Sequence, residues 1–328
     1  KPSNSMIKND RKGRYYTSVS YLINKSVFEE IEELAQFEES TMKDITNTIL
    51  DLQNRSTYYD FINHNPSNRE KENQYIRSCI LKIYAKSDKR LGVQKITFCL
   101  KRDYCISIST GRVCRMMKTM NLPKMSTVKP PKQATTVSDN GKCENILAQD
   151  FNQPKPNSVW VCDFTYIRVG TRFYYLCAIL DLYARKIIAY KLSNKIDTQL
   201  AIDTLNLAVT NRRKSSGIIF HSDRGAQFTS KCFRKHLDVL DMIQSFSAKG
   251  HPYDNAVMEC FFKYLKMEET NRRNYSSLAE LQLSLFKYIN GFYNSLRPHS
   301  HNNGLSPNQA EAIYFSFLIV TCFIFAVW

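Results

Sequence analysis

Three acidic residues, Asp163, Asp223 and Glu259, have the types and settings that phosphoryl transfer needs. Asp163 interrupts the apolar run Val159-Trp160-Val161-Cys162-Asp163-Phe164-Thr165-Tyr166-Ile167. A carboxylate buried in such a strand is costly without a hydrogen-bond partner or a metal. Asp223 ends the run Ile218-Ile219-Phe220-His221-Ser222 and precedes Arg224-Gly225, a turn at a strand's C-terminal end, where ligand-binding loops gather in α/β sheets. Glu259 lies in a helical pattern, and Lys266, seven positions on, returns to nearly the same face. Two strand-borne aspartates and a helix-borne glutamate can form a cage of hard oxygens for Mg²⁺ or Mn²⁺. Two such ions, about 3.5–4 Å apart, support in-line displacement at phosphorus without a nucleophilic Ser or Cys. Singly, each acid has a plainer reading: a hydrogen-bonded core residue, a turn former, an exposed helix position. The combination is harder to dismiss. Asp181, the main competitor as a ligand, reads as structural, pairing with Arg185 or capping its turn. His221 reads as packed, and Asp254 and Glu268 or Glu269 as exposed.

The elements that must position these residues follow from the apolar pattern. Strand-like runs at 159–168, 171–180 and 185–192, the first two joined at Gly170, make a meander. A helix at 197–211, a strand at 217–222, a helix at 230–240 and a strand near 243–247 follow. The Glu259 helix begins near Tyr253 and another spans 278–292. Three meandering strands and then alternating helix and strand predict an α/β domain with a mixed sheet. Upstream, 71–86, 91–101 and 109–120 read as three helices, with Ser109 as N-cap of the third. There Val113, Met116, Met117 and Met120 make an apolar stripe, and Arg112, Arg115 and Lys118 face phosphates or base edges. A stretch over Val27–Leu52 is helical in pattern, and the run Ile45–Phe61 is either an ordinary amphipathic helix or a small DNA-binding or coiled-coil piece.

The chain has 328 residues and a formal charge of +16, which points to a polyanionic partner and, with the acids, to nucleic acid. Its ten cysteines lack C-x-x-C pairs and zinc spacing, and those at 162, 177 and 260 read as small buried hydrophobes in a reducing cytosol. No signal peptide pattern opens the chain, and a start at Lys1 is what a fragment would show. The apolar run Tyr314–Trp328 is short of the roughly 20 residues of a spanning helix, so no membrane association is expected. Translated sequence past a natural end is preferred over a buried strand.

These motifs resemble the OrfB-type transposases of the insertion-sequence-three family, with a retroviral-integrase-like core. The resemblance rests on Val159-Trp-Val-Cys-Asp163-Phe-Thr-Tyr-Ile, Asp181-Leu-Tyr-Ala-Arg-Lys-Ile, His221-Ser-Asp223-Arg-Gly-Ala-Gln-Phe-Thr-Ser, Lys249-Gly-His-Pro-Tyr-Asp-Asn-Ala-Val-Met-Glu259, Lys266, Tyr293-Asn-Ser-Leu-Arg-Pro-His299 and Leu305-Ser-Pro307. The family leaves thirty-five residues between its second aspartate and its glutamate, as positions 224–258 do here. It covers about residues 53–310. Residues 1–50 and the ending from Tyr314 depart from the family pattern.

The resemblance implies an RNase H-like fold, a mixed five-stranded sheet flanked by helices and preceded by small all-α helix-turn-helix segments. It implies a DDE polynucleotidyl transferase with Asp163, Asp223 and Glu259 as catalytic and metal-holding residues and two Mg²⁺ or Mn²⁺ ions. Lys266, Arg112, Arg115, Lys118, Arg224, Lys249 and Arg297 are the expected DNA contacts. The expected division is a helical or irregular region 1–70, a helix-turn-helix segment 71–123, a basic linker 124–157, a catalytic core 158–312 and an apolar tail 313–328. Expected partners are the element's terminal inverted repeats, target DNA, further copies of the chain and an upstream OrfA-type protein or fused domain, in a bacterial cytoplasm at the nucleoid. The alternatives are a nuclease of the same fold and a non-catalytic DNA-binding remnant.

Overall fold

The computed structural model describes residues 7–9, 15–17, 65–122, 144–213, 216–248 and 252–326, without side chains at 7–9, 15–17 and 318–326. The helix expected over 27–52, most of the linker and Lys249 lie outside the described residues. The chain divides into two units, Lys1–Gln74 and Tyr75–Trp328. In the first, β1 (Ile7–Asn9) and β2 (Tyr15–Thr17) pair antiparallel. Helix α1 (Asn68–Lys86) opens on a capping box: the Ser67 amide donates to Glu70 Oε2 (2.7 Å) and the Glu70 amide to Ser67 Oγ (3.3 Å).

In the second unit, α1 continues into α2 (Val93–Tyr104) and α3 (Thr110–Thr119). Ser109 caps α3 by accepting from the Arg112 amide at 3.3 Å. Ile76, Ile80, Ile96, Leu100, Val113 and Met116 form the buried seam of the three helices, and Met117 and Met120 pack at its margin. This seam is continuous with one of the two cores of the catalytic layer.

The sheet comprises β3 (Val159–Val169), β4 (Arg172–Asp181), β5 (Lys186–Ser193), β6 (Ile218–Ser222) and β7 (Met242–Phe246), in the order β5-β4-β3-β6-β7. β3, β4 and β5 form an antiparallel meander; β6 runs parallel to β3, and β7 to β6. Gly170, at φ +56°, makes the β3–β4 turn. Side chains alternate across β3. Trp160, Cys162 and Phe164 join Leu200, Leu205, Phe220, Phe228 and Phe233 on one face, under α4 (Thr198–Arg212), α5 (Ala226–Thr229) and α6 (Lys231–Val239). Val161 and Ile167 join Met258, Phe261 and Leu265 on the other, under α7 (Ala256–Glu268) and α8 (Leu278–Phe286). Asp163, two residues on from Val161, shares its face, so the alternation aims it toward α7.

Several expectations change. The helix expected from Tyr253 begins with a 3₁₀ turn, Pro252–Asn255, before α7. The helix expected over 278–292 becomes π-helical at Lys287–Tyr293. Cys162 and Cys177 are buried, with sulfurs 3.5 Å apart, but Cys260 is exposed on α7. The apolar ending is part of helix α9 (Pro307–Ala326), not a strand, with Ile313, Phe315 and Phe317 exposed. No described helix is long and apolar enough to cross a membrane.

Gly304 closes the turn before α9 at φ +84°, and a Cβ there would lie 2.7 Å from Phe98 Cδ1 on α2. Backbone conformation and crowding both oppose a side chain. Gly304→Ala is expected to cost about 1–3 kcal/mol, read as a lower urea midpoint at unchanged m-value.

Candidate active site

Asp163 sits mid-strand on β3, opposite Ala178 of β4, at the centre of the sheet. Its Oδ1 accepts from the Phe164 amide at 2.7 Å. Asp223 is the first residue beyond β6, the neighbouring strand. Its Oδ1 accepts from the Gly225 amide at 3.0 Å, which holds the carboxylate back over its own turn. A Cβ on Gly225 would stand 3.0 Å from that same oxygen, so any larger residue there displaces the Asp223 side chain. Arg224 fixes the turn from the other side, its Nε donating to the Ser247 carbonyl at 2.9 Å. Glu259 lies exposed in the first turn of α7, and Lys266 two turns further along, its ammonium 4.8 Å from the Tyr166 ring centroid on β3. Such a cation over an aromatic face is held in place without a carboxylate partner.

Asp163 senses the other two acids. Burial pushes the Asp163 carboxyl well above the ordinary range, and the charges of Asp223 and Glu259 push it further; the Phe164 amide and Lys266 pull the other way. Burial raises Asp223 against the Gly225 hydrogen bond, and burial raises Glu259. Burial lowers Lys266, opposed by Asp163. Asp163 thus stands between two like charges and the opposed charge of Lys266, in a partly desolvated place. Oxygen donors so arranged suit a hard divalent ion. No three His, Cys, Asp or Glu side chains among the described residues are gathered closely enough to be a closed ligand group as they stand.

Other candidates resolve differently. Asp181 is fully buried and caps its turn through the Tyr183 amide (3.0 Å), but its ion-pair partner is Arg212 (3.3 Å), not Arg185. The Arg185 guanidinium instead donates to the Leu182 carbonyl at 3.0 Å. His221 is packed: Nδ1 lies 2.9 Å from Ser245 Oγ, and burial lowers its pKa to about 4. Arg297 is not a DNA contact on this surface. It is 1% exposed and clasps Glu268, with Nε to Oε2 and Nη2 to Oε1 both at 2.8 Å. Nor are Asp254, Glu268 and Glu269 exposed; all three are buried, each held by donors distant in sequence. Arg115 and Lys118 do face solvent on α3, whereas Arg112 is half-buried.

The sequence has counterparts among known families and proteins. The family described as "Integrase core domain" matches residues 153–252, a second family with that description matches 259–312, and one described as "HTH-like domain" matches 70–130. "Transposase InsF for insertion sequence IS3A" of Escherichia coli (strain K12) is 32% identical over 246 residues, 75% of this chain and 85% of that one. "Transposase for insertion sequence element IS904" of Lactococcus lactis subsp. lactis (strain IL1403) is 32% identical over 246 residues, 75% of this chain and 97% of that one. The HTLV-2 integrase catalytic core domain in complex with magnesium aligns at 17% identity over 48% of this chain and 98% of that one, with a TM-score of 0.35, too slight a likeness to build on. On the strength of the two bacterial relatives, the chain belongs to the IS3-type insertion-sequence transposases built on an integrase core domain.

Proposed function

We propose that this transposase cuts and joins DNA at a site formed by Asp163, Asp223 and Glu259, acting on the terminal inverted repeats of its own element. The observation that carries the reading is the placement of three carboxylates on β3, the turn after β6 and helix α7, where the charges of Asp223 and Glu259 both act on Asp163. These carboxylates would hold two Mg²⁺ or Mn²⁺ ions, which when bound supply Lewis acidity to the attacking and departing oxygens. Asp163 and Glu259 approach from a strand and a helix, and Asp223 from a turn tied by Gly225 and Arg224, so closing the ligand group requires movement of side chains rather than of the elements that bear them. Lys266, held over Tyr166, meets a backbone phosphate. Arg115 and Lys118 on α3 carry sequence-independent attraction and, with the helix in a groove, readout of the repeats. Joining requires two DNA segments, which favours further copies of the chain, and an upstream OrfA-type protein or domain, on paired ends.

A labelled inverted-repeat duplex incubated with Mg²⁺ tests the reading. The wild type is expected to yield both cleaved and joined products. Glu259→Gln should cut roughly 10³-fold more slowly, about 4 kcal/mol of barrier, while binding the duplex as before. Cleavage without joining would identify a nuclease. Salt-sensitive binding without cleavage, also with the upstream domain supplied, would identify a DNA-binding remnant.

A further inference from the structure

Asp254 is 2% exposed, in the 3₁₀ turn that leads directly into helix α7, five residues before Glu259. A carboxylate so buried must be compensated. Its Oδ2 accepts from Asn145 Nδ2 (2.8 Å) and the Ala248 amide (2.8 Å), and its Oδ1 from Gln149 Nε2 (2.7 Å). The donors come from two stretches: the segment before β3 and the residues just after β7. The first stretch is itself stitched to the sheet. Ser245 Oγ on β7 accepts from the Ile146 and Leu147 amides (3.0 and 3.1 Å) and lies 2.9 Å from His221 on β6. The Phe246 amide donates to the Glu144 carbonyl at 2.9 Å. His221 stands two residues before Asp223.

A chain of buried and half-buried hydrogen bonds therefore runs from the strand that delivers Asp223 to the turn that starts the Glu259 helix. We propose that Asp254 is a positioning residue that fixes the entry of α7 against β6 and β7, so that Glu259 meets Asp163 and Asp223. This rests on the reading of Glu259 as a working carboxylate. Asp254 acts through hydrogen bonds and not through its charge, and that distinction is testable. In Asp254→Asn the amide oxygen can keep Asn145 and Ala248, and the new NH₂ can be met by Gln149 once its own amide turns over. Asp254→Ala loses all three bonds.

The experiment compares wild type, Asp254→Asn, Asp254→Ala and Glu259→Gln in Mn²⁺ binding, followed by the electron paramagnetic resonance of free Mn²⁺, and in cleavage of inverted-repeat DNA. Duplex binding and melting temperature serve as controls of the fold. Asp254→Asn is expected within about threefold of wild type, and Asp254→Ala to lose 10–100-fold in Mn²⁺ affinity and cleavage, the usual scale for residues that orient ligands. Should Asp254→Ala fail to fold, Asn145→Ala/Gln149→Ala, which keeps the carboxylate, should show the same loss. The proposal is overturned if Asp254→Asn is as impaired as Asp254→Ala, because the charge itself is then required. It is equally overturned if Asp254→Ala behaves as wild type while Glu259→Gln is dead. A wild type that neither binds Mn²⁺ nor cleaves defeats the underlying reading of the site, a result visible before any Asp254 variant is compared.

Discussion

Asp163→Asn is expected to stabilise the metal-free protein while abolishing cleavage. The Asp163 carboxyl binds its proton more tightly in the folded chain than in the unfolded one, because burial and the charges of Asp223 and Glu259 disfavour its ionised form. A raised folded pKa means that stability is present below the ordinary carboxylate range and is lost as pH rises from that range through the folded value. Above the ordinary carboxylate range the carboxyl therefore costs the fold stability, and the neutral amide avoids that cost. Each kcal/mol recovered should raise Tm by about 2–4 °C in a domain of this size. Divalent ions reverse the order. At about 100 times its Kd a bound ion adds roughly 2.7 kcal/mol to the wild type, and the variant gains much less. Cleavage should fall by about 10³-fold in the variant. Thermal scans with EDTA and with Mg²⁺ check all of this. A variant less stable than wild type in EDTA, or equally stabilised by Mg²⁺, would contradict the role assigned to Asp163.

The second large effect lies at the other end of the Glu259 helix. Arg297→Met should cost about 3–5 kcal/mol, because it leaves Glu268 buried without its main counter-charge. Glu268 also takes Lys95 Nζ at 3.2 Å and the Tyr288 hydroxyl at 2.9 Å, and the Arg297 guanidinium lies 4.0 Å from the Tyr264 ring centroid. Burial pushes the Glu268 carboxyl up, but Arg297, Lys95 and Tyr288 outweigh it and hold it below its ordinary value. A depressed folded pKa gives stability that is present above the unfolded value and disappears as pH falls through the folded one. The gap between wild type and Arg297→Met in urea should accordingly shrink toward acid. Replacing both partners with apolar residues, as in Glu268→Leu/Arg297→Met, should recover part of the loss. A single variant within 1 kcal/mol of wild type would show the pair to be dispensable.

This network also joins the α1–α3 helices to the catalytic layer. Arg90 Nε donates to the Glu268 carbonyl at 3.1 Å, and Lys95 reaches the Glu268 carboxylate from α2. Lys95 is lowered to about 8, first by burial and then by Arg297, so this tie weakens in mild alkali. The helix bearing Glu259 and Lys266 is thus held at its start by Asp254 and at its end by Glu268 and Glu269.

What was legible in the sequence and what was not divides along physical lines. The five strands were readable because apolar runs such as 159–167 and 218–222, and the Gly170 turn, are local signals, and the two faces of β3 follow from alternation alone. Asp163 stands out in the sequence because a carboxylate in an apolar strand is conspicuous. Asp254, Glu268, Glu269 and Arg297 were misjudged as surface groups because charge is normally exposed. Part of the acids' compensation comes from Asn145, Lys95 and Arg90, each more than a hundred residues from the acid it meets, which no local pattern announces. The partner of Asp181 was misread for a related reason: Arg185 is near in sequence, but Arg212 at the end of α4 is near in space.

The most direct test of the account is to locate divalent ions in crystals of the protein on inverted-repeat DNA grown with Mn²⁺, using the anomalous signal of manganese. The account predicts manganese bound jointly by Asp163, Asp223 and Glu259 against the DNA backbone, and its loss in Asp223→Asn. Manganese bound elsewhere in a cleavage-competent complex, or retained in Asp223→Asn, would contradict it.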